Sequence, residues 1–278
     1  MALLEIPEPY DFDLSTARYR AYGTDLANLW HEGGLHRVVA GREVRIEAAP
    51  DGHGVDVEPL DAETEPVVRR LLGLEFDLPP FYAFAAGHPV LRELVGRFPG
   101  LRPPIAPDPF EAIVTAITAQ QVSLFAAFAI RNRLVERFGV RAGQAYAFPT
   151  AASLAGATEQ DLLALGFSRR KAEYVLGLAG SGLDLNALRA LPDDAVKQRI
   201  TAIRGLGEWT ADWFLARHLA RPEAWPAGDL GLRKAVSTFY RGGADVSTEE
   251  VRAMAPRFAH FQNLTAHYLL AGLLAGRL

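Results

Sequence analysis

The segment ITAIRGLGEWTADWFLARHL, starting at Ile200, carries the residues best placed to do chemistry. Gly205, Leu206 and Gly207 stand between two helical stretches. Two glycines around one apolar residue let a backbone turn tightly and come close to a ligand. The turn opens a helix expected from Glu208 to Leu219, and unpaired amides at such an end suit a phosphate oxygen. Thr210 is positioned to add a hydroxyl donor, and Leu206 to plug the turn into a core. The same residues also read as an ordinary glycine-rich helical hairpin, and spacing alone does not choose between the two.

Further along, WPAGDLGLRKA begins at Trp225. Asp229 follows a glycine and opens a helix, where aspartate commonly serves as an N-cap. A capping carboxylate is held in one rotamer and can still face a cleft, so capping and catalysis are compatible. Trp209, Trp213, Phe214, Trp225, Phe239 and Phe261 surround these two segments in sequence, and they include three of the four tryptophans. Core packing accounts for most such rings. Flat, electron-rich walls also suit stacking on a nucleobase, above all one bearing positive charge. The seven histidines show no metal-ligand spacing,. No nucleophile elbow or Walker-type loop is present. Arg169-Arg170-Lys171 fits a phosphate contact and a solvated helix start equally.

These residues must be held by a scaffold, and the chain reads as α+β. Residues 1–86 form the expected N-terminal α+β domain. Strands are expected at Leu35–Ala40, Glu43–Ala49 and Gly54–Leu60, punctuated by Gly41 and the Asp51-Gly52 pair. Short helices are expected at Thr24–His31 and Glu65–Gly73. Residues 87–278 form a mostly helical core, divided into a hairpin-bearing subdomain at 104–221 and a second one combining 87–103 with 222–278. Asp108 and Pro109 make a good helix start, opening one apolar helix that runs to Gly139. Further helices are expected at Ser153–Ala157, Glu159–Leu165, Arg169–Gly180, Asp193–Ala202, Thr210–Leu219, Leu230–Tyr240, Thr248–Arg257 and Gln262–Ala275.

Composition bounds the function classes. The 278 residues include 49% hydrophobic ones, enough for a sizeable core, and no cysteine. That removes disulfides, thiolate catalysis, cysteine-held zinc and iron–sulfur clusters. No run reaches about 18 apolar residues and the N-terminus lacks a secretory pattern, so a cytoplasmic protein is expected. The net charge of −4 argues mildly against nucleic acid, so a DNA reading needs a local footprint,.

Taken together, LPDD…ITAIRGLGEWTADWF and GDLGLRKA resemble the helix-hairpin-helix DNA glycosylase superfamily with its downstream aspartate. PYDF near Tyr10, FEAIVTAITAQQVS at Phe110 and GLGEWTA most resemble its 3-methyladenine DNA glycosylase II branch, over nearly the whole chain. The resemblance implies a helical glycosylase core behind a small antiparallel sheet. It implies excision of alkylated purines from damaged double-stranded DNA by a monomer. It makes Asp229 the catalytic carboxylate and places Gly205, Leu206, Gly207 and Thr210 on phosphate. Trp209, Trp213, Leu230 and Phe261 fall at base-pocket positions, and Gln121 fills the gap left by an extruded nucleotide. The carbonyls of Thr201, Ile203 and Leu206 match those that hold a monovalent cation, sodium or potassium.

The chain departs from the pattern in places. Relatives that also nick the strand carry a lysine where Trp209 stands, so no Schiff base is expected. Phe261 replaces a common tryptophan, Leu230 an aromatic residue, Gly231 a leucine, and Gln121 a leucine wedge. Three rival readings remain at this stage. They are a non-catalytic DNA-binding module, a glycosylase for oxidised or deaminated purines, and a helical scaffold in which the hairpin and Asp229 are coincidental.

Overall fold

The computed structural model describes residues 1–50 and 52–276. An antiparallel five-stranded sheet comes first, built from β1 (Ala2–Leu4), β2 (Leu29–His31), β3 (Gly34–Val39), β4 (Arg42–Ala48) and β5 (Val55–Glu58), in the order β1-β5-β4-β3-β2. Alternation drives it: Val44 and Ile46 of β4 and Val55 and Val57 of β5 are fully buried, and their neighbours are not,. The short α1 (Phe12–Thr16) and the helix α2 (Thr64–Leu71) accompany the sheet. Val68, Leu71 and Leu72 complete its apolar cluster.

The rest is helical apart from one small hairpin. α3 (Leu78–Ala86), α4 (Pro89–Arg97), α5 (Pro109–Ala119) and α6 (Leu124–Phe138) precede the paired strands β6 (Val140–Ala142) and β7 (Ala145–Ala147). α7 (Glu159–Ala164), α8 (Arg169–Ala179), α9 (Asp193–Thr201) and α10 (Glu208–Arg217) follow. α11 (Leu230–Tyr240), α12 (Thr248–Met254) and α13 (Gln262–Ala275) end the chain. Their apolar faces form two clusters. One joins Ile113, Leu134, Val175, Val196, Ile200, Leu206 and Phe214, from α5 to α10. The other joins Phe81, Leu91, Ile105, Leu232, Val236, Phe258 and Tyr268, so α3 packs with the later helices rather than with the sheet. Among the described residues no helix is long and apolar enough to cross a membrane.

A buried polar network stitches the sheet to the first helical cluster. Arg37 of β3 donates to both oxygens of Glu111 in α5, at 3.1 and 2.6 Å. Arg131 of α6 bonds the same carboxylate and Asp25. Burial pushes the Glu111 carboxyl pKa up, but the two guanidiniums outweigh it and hold it below the usual value,.

Several expectations need correction. The helix from Pro109 to Gly139 is broken in two: α5 stops at Ala119, and α6 restarts behind Ser123, whose Oγ accepts from Ala126 N at 3.3 Å. Gln121, inside the break, has a left-handed φ of 56°. Thr24–His31 is not a helix. Asp25 turns its side chain onto the amides of Ala27 and Asn28, a local bond that competes with helix, and Leu29–His31 becomes β2,. α12 ends at Met254 and continues as a 3-10 turn over Ala255–Phe258, because Pro256 cannot donate,. Ala152–Leu154 is likewise a 3-10 turn rather than an α-helix. In the expected Asp51-Gly52 turn, Asp51 lies outside the described residues, and Gly52 has a φ of 76°.

Candidate active site

α9 and α10 form the expected hairpin around Gly205-Leu206-Gly207. Leu206 is 3% exposed and sits in the apolar cluster with Ile200 and Ala211. Gly205 has a φ of 87°, and a Cβ there would lie 2.2 Å from the Tyr174 ring of α8. Glycine is therefore required twice over, by dihedral and by contact. Lys197 of α9 closes the hairpin on Asp212 of α10 at 2.7 Å. Burial raises the Asp212 carboxyl pKa and Lys197 opposes it.

The turn leaves its amides open. Gly207 is the N-cap of α10 and carries no side-chain cap. Among the described residues, the amides of Gly207, Glu208 and Trp209 have no hydrogen-bond partner. Thr210 departs from the expected role: its amide is bonded to Gly207 O at 3.0 Å and the residue is 1% exposed. It is a core residue of the helix start, so any phosphate grip comes from the backbone ahead of it.

The α5–α6 break lies against this turn. Gln120 Nε2 donates to Gly205 O at 3.1 Å, tying the break to the hairpin. Gln121 stands exposed beside it, followed by the exposed apolar Val122 and, one turn into α6, Phe125. Composition gave no sign of Gln120 as a tether. The only signal for the break was Ser123, a good N-cap buried in an apolar run,.

Asp229 heads α11 and closes the group. Its Oδ1 accepts from Leu232 N at 2.9 Å, which is the N-cap bond. Its Oδ2 accepts from Trp209 Nε1 at 3.0 Å and from Trp213 Nε1 at 3.1 Å. A carboxylate offers about four lone-pair sites. Three are filled here, so the group is fixed in direction and keeps one site open on Oδ1. A Cβ at Gly231 would come within 3.0 Å of that same oxygen, so glycine keeps its approach clear. α10 packs in the first helical cluster and α11 in the second, which places the carboxylate where the two meet.

The remaining pocket residues are arranged less simply. Trp213 is 6% exposed, and Arg217 lays its guanidinium over the indole, 3.7 Å from the ring centroid. One face of Trp213 is therefore already taken by a cation. Burial, with Arg18 adding and Asp229 opposing, pushes the Arg217 pKa well down. A guanidinium nonetheless keeps its proton in proteins. Leu230 stands 59% exposed at the first turn of α11. Phe261 packs on Phe81 and Phe84, at centroid distances of 5.8 and 5.1 Å. Among the described ring contacts none joins Phe261 to Trp209 or Trp213. Residue types alone do not single out Arg217, because an arginine late in an apolar helix reads as a dipole partner.

The carbonyls that the resemblance assigns to a cation differ in their partners. Ile203 O accepts from Leu206 N at 3.1 Å, which leaves one lone pair. Among the described residues, those of Thr201 and Leu206 accept no hydrogen bond. Gly205 O, the carbonyl between them, is taken by Gln120. No cluster of three His, Cys, Asp or Glu side chains suited to a metal ion occurs among the described residues.

Known proteins resemble this chain in sequence and in fold. Residues 114–259, from α5 through the hairpin and Asp229 to the end of the 3-10 turn, match the HhH-GPD superfamily of base excision DNA repair proteins. The chain is 31% identical over 210 residues to a DNA-3-methyladenine glycosylase of Bacillus subtilis, covering 73% of this chain and 69% of that one. It is 33% identical over 182 residues to DNA-3-methyladenine glycosylase 2 of Escherichia coli, covering 63% and 60%. A 3-methyladenine DNA glycosylase from Archaeoglobus fulgidus superposes with a TM-score of 0.88 at 29% identity, over 99% of both chains. The match therefore spans the sheet as well as the helices, and the break, the glycine turn and the capping aspartate all fall inside the family segment. On these grounds the chain belongs to the HhH-GPD superfamily of base excision DNA repair proteins.

Proposed function

We propose that this chain is a monofunctional DNA glycosylase of the 3-methyladenine DNA glycosylase II type, which removes alkylated purines from double-stranded DNA and leaves an abasic site. The observation that carries the reading is the carboxylate of Asp229, held by two indole N–H groups directly behind the glycine turn. The names borne by the Bacillus subtilis and Escherichia coli relatives support the lesion class.

A target inside a duplex is unreachable, so the nucleotide must be rotated out of the stack. The open amides of Gly207, Glu208 and Trp209 grip a phosphate of the damaged strand. Gln121 enters the vacated space, its position fixed by Gln120. The carbonyls of Thr201, Ile203 and Leu206 fit a monovalent cation, which would add positive charge beside that phosphate. As the glycosidic bond lengthens, the sugar becomes oxocarbenium-like. The carboxylate of Asp229, already oriented by Trp209, Trp213 and the Leu232 amide, stabilises this charge without reorganising. Its open Oδ1 site directs a water to the sugar carbon. Alkylation leaves the purine a good leaving group, so no strong general acid is needed. Trp209 supplies no amine, so the reaction ends at hydrolysis.

Chromatography of the bases freed from methylated duplex tests the reading directly. Release of methylated purines, with no borohydride-trapped adduct, is expected. An inert protein contradicts the glycosylase assignment, and a trapped adduct contradicts the monofunctional one.

A further inference from the structure

Two buried nitrogens beside Trp213 have no hydrogen-bond partner among the described residues. The buried Nε of Arg217 makes no hydrogen bond, and among the described residues the guanidinium forms no ion pair. His267 packs its ring 5.9 Å from the same indole, and its Nε2 is buried and also without a partner. A buried group left unsatisfied is costly, and native proteins retain few of them. Each other charge near Arg217 has a different place. Asp229 is engaged by the two indoles and the Leu232 amide, and Arg18 lies over Tyr22. Arg217 is therefore a fixed donor, stacked on the residue that positions the catalytic carboxylate, and its buried Nε has no acceptor among the described residues.

We propose that Arg217 is a specificity-determining residue that donates to the exocyclic oxygen of the extruded base, so that alkylated guanine is preferred over alkylated adenine. The assignment rests on the glycosylase reading above. A guanine-type ring presents a carbonyl oxygen on the edge where adenine presents an amino group. The first accepts from a guanidinium; the second sets donor against donor. A site built to hydrogen-bond one group discriminates strongly against an analogue that cannot complete the bond. The cation on Trp213 acts in the same direction. With one face covered, Trp213 has less stacking to offer a positively charged base, so cation–π attraction alone cannot set the preference.

DNA treated with dimethyl sulfate carries both 7-methylguanine and 3-methyladenine, so a single digest gives their release ratio. Arg217→Met is expected to lower the ratio of 7-methylguanine to 3-methyladenine at least tenfold, and Arg217→Lys to restore part of it. A ratio within twofold of the wild type, whatever the total rate, overturns the assignment. Competition by free bases provides a second readout on the unmodified protein. 7-Methylguanine is expected to inhibit excision at a concentration at least fivefold below that of 3-methyladenine, and equal inhibition overturns the assignment. A wild-type protein that releases neither base instead defeats the glycosylase reading itself.

Discussion

The indole N–H of Trp209 donates to Oδ2 of Asp229 at 3.0 Å, joining the residue just after the glycine turn to the residue that opens α11. This one bond couples the glycine turn to a carboxylate from a different helical cluster. Phe at position 209 keeps the ring and loses the donor. A hydrogen bond to a charged group contributes about 1.5–3 kcal/mol. Trp209→Phe should lower the single-turnover excision rate by roughly tenfold or more while DNA affinity changes little. An unchanged rate would show that Trp213 and the Leu232 amide suffice to orient the carboxylate.

Gln121 combines a left-handed φ of 56° with exposure at the tip of the α5–α6 break. A non-glycine residue in that region costs on the order of 1 kcal/mol. Gln121→Gly should therefore leave the melting temperature equal or higher and yet slow excision, because nothing remains to fill the space of an extruded nucleotide. Loss of stability with normal excision would contradict both parts of that account.

Glu111 holds two buried guanidiniums, Arg37 and Arg131, between the sheet and the first helical cluster. Removing one partner from such a group typically costs about 3–5 kcal/mol. Glu111→Gln should lose about that much in denaturant unfolding. A loss under 1 kcal/mol would show that the network adds little to holding the two units together.

Burial lowers the His218 imidazole pKa to about 3, with Arg70 and Arg189 adding and the Ala106 carbonyl opposing. His267 is shifted the same way by burial, Arg217 and Arg18. Below pH 6.5 the unfolded chain binds protons that the folded chain does not, so stability falls as the pH drops. Each such histidine contributes up to about 1.4 kcal/mol per pH unit. His218→Gln should reduce the stability lost between pH 6.5 and 5 by about 2 kcal/mol. An unaltered pH profile would contradict the assignment.

Much of this architecture can be read from residue types, and the exceptions have physical causes. The bounds of α11 follow from clear periodicity, α13 is an apolar run on nearly every side, and Asp229 is a strong N-cap signal,. Gly205 marks its own turn, since only glycine tolerates both its φ and the Tyr174 ring. The α5–α6 break left little trace, because AITAQQVSLF contains no glycine or proline and keeps its apolar character. What stops α5 is tertiary: Gln120 is drawn to Gly205 O, a partner far away in sequence. Thr24–His31 failed as a helix for a local reason, the Asp25 side chain bonding amides two and three residues on. The role given to Arg217 was invisible for another reason. It depends on the Arg217 Nε having no acceptor among the described residues, and only coordinates show that.

The carboxylate of Asp229 carries the account, and Asp229→Asn tests it most directly. Asparagine keeps the N-cap bond to Leu232, so the fold and the glycine turn should survive,. Removing the charge should cut excision of methylated purines by about 10²–10³-fold or more, with binding to lesion-bearing duplex retained. Release at the wild-type rate by that variant would contradict the central claim.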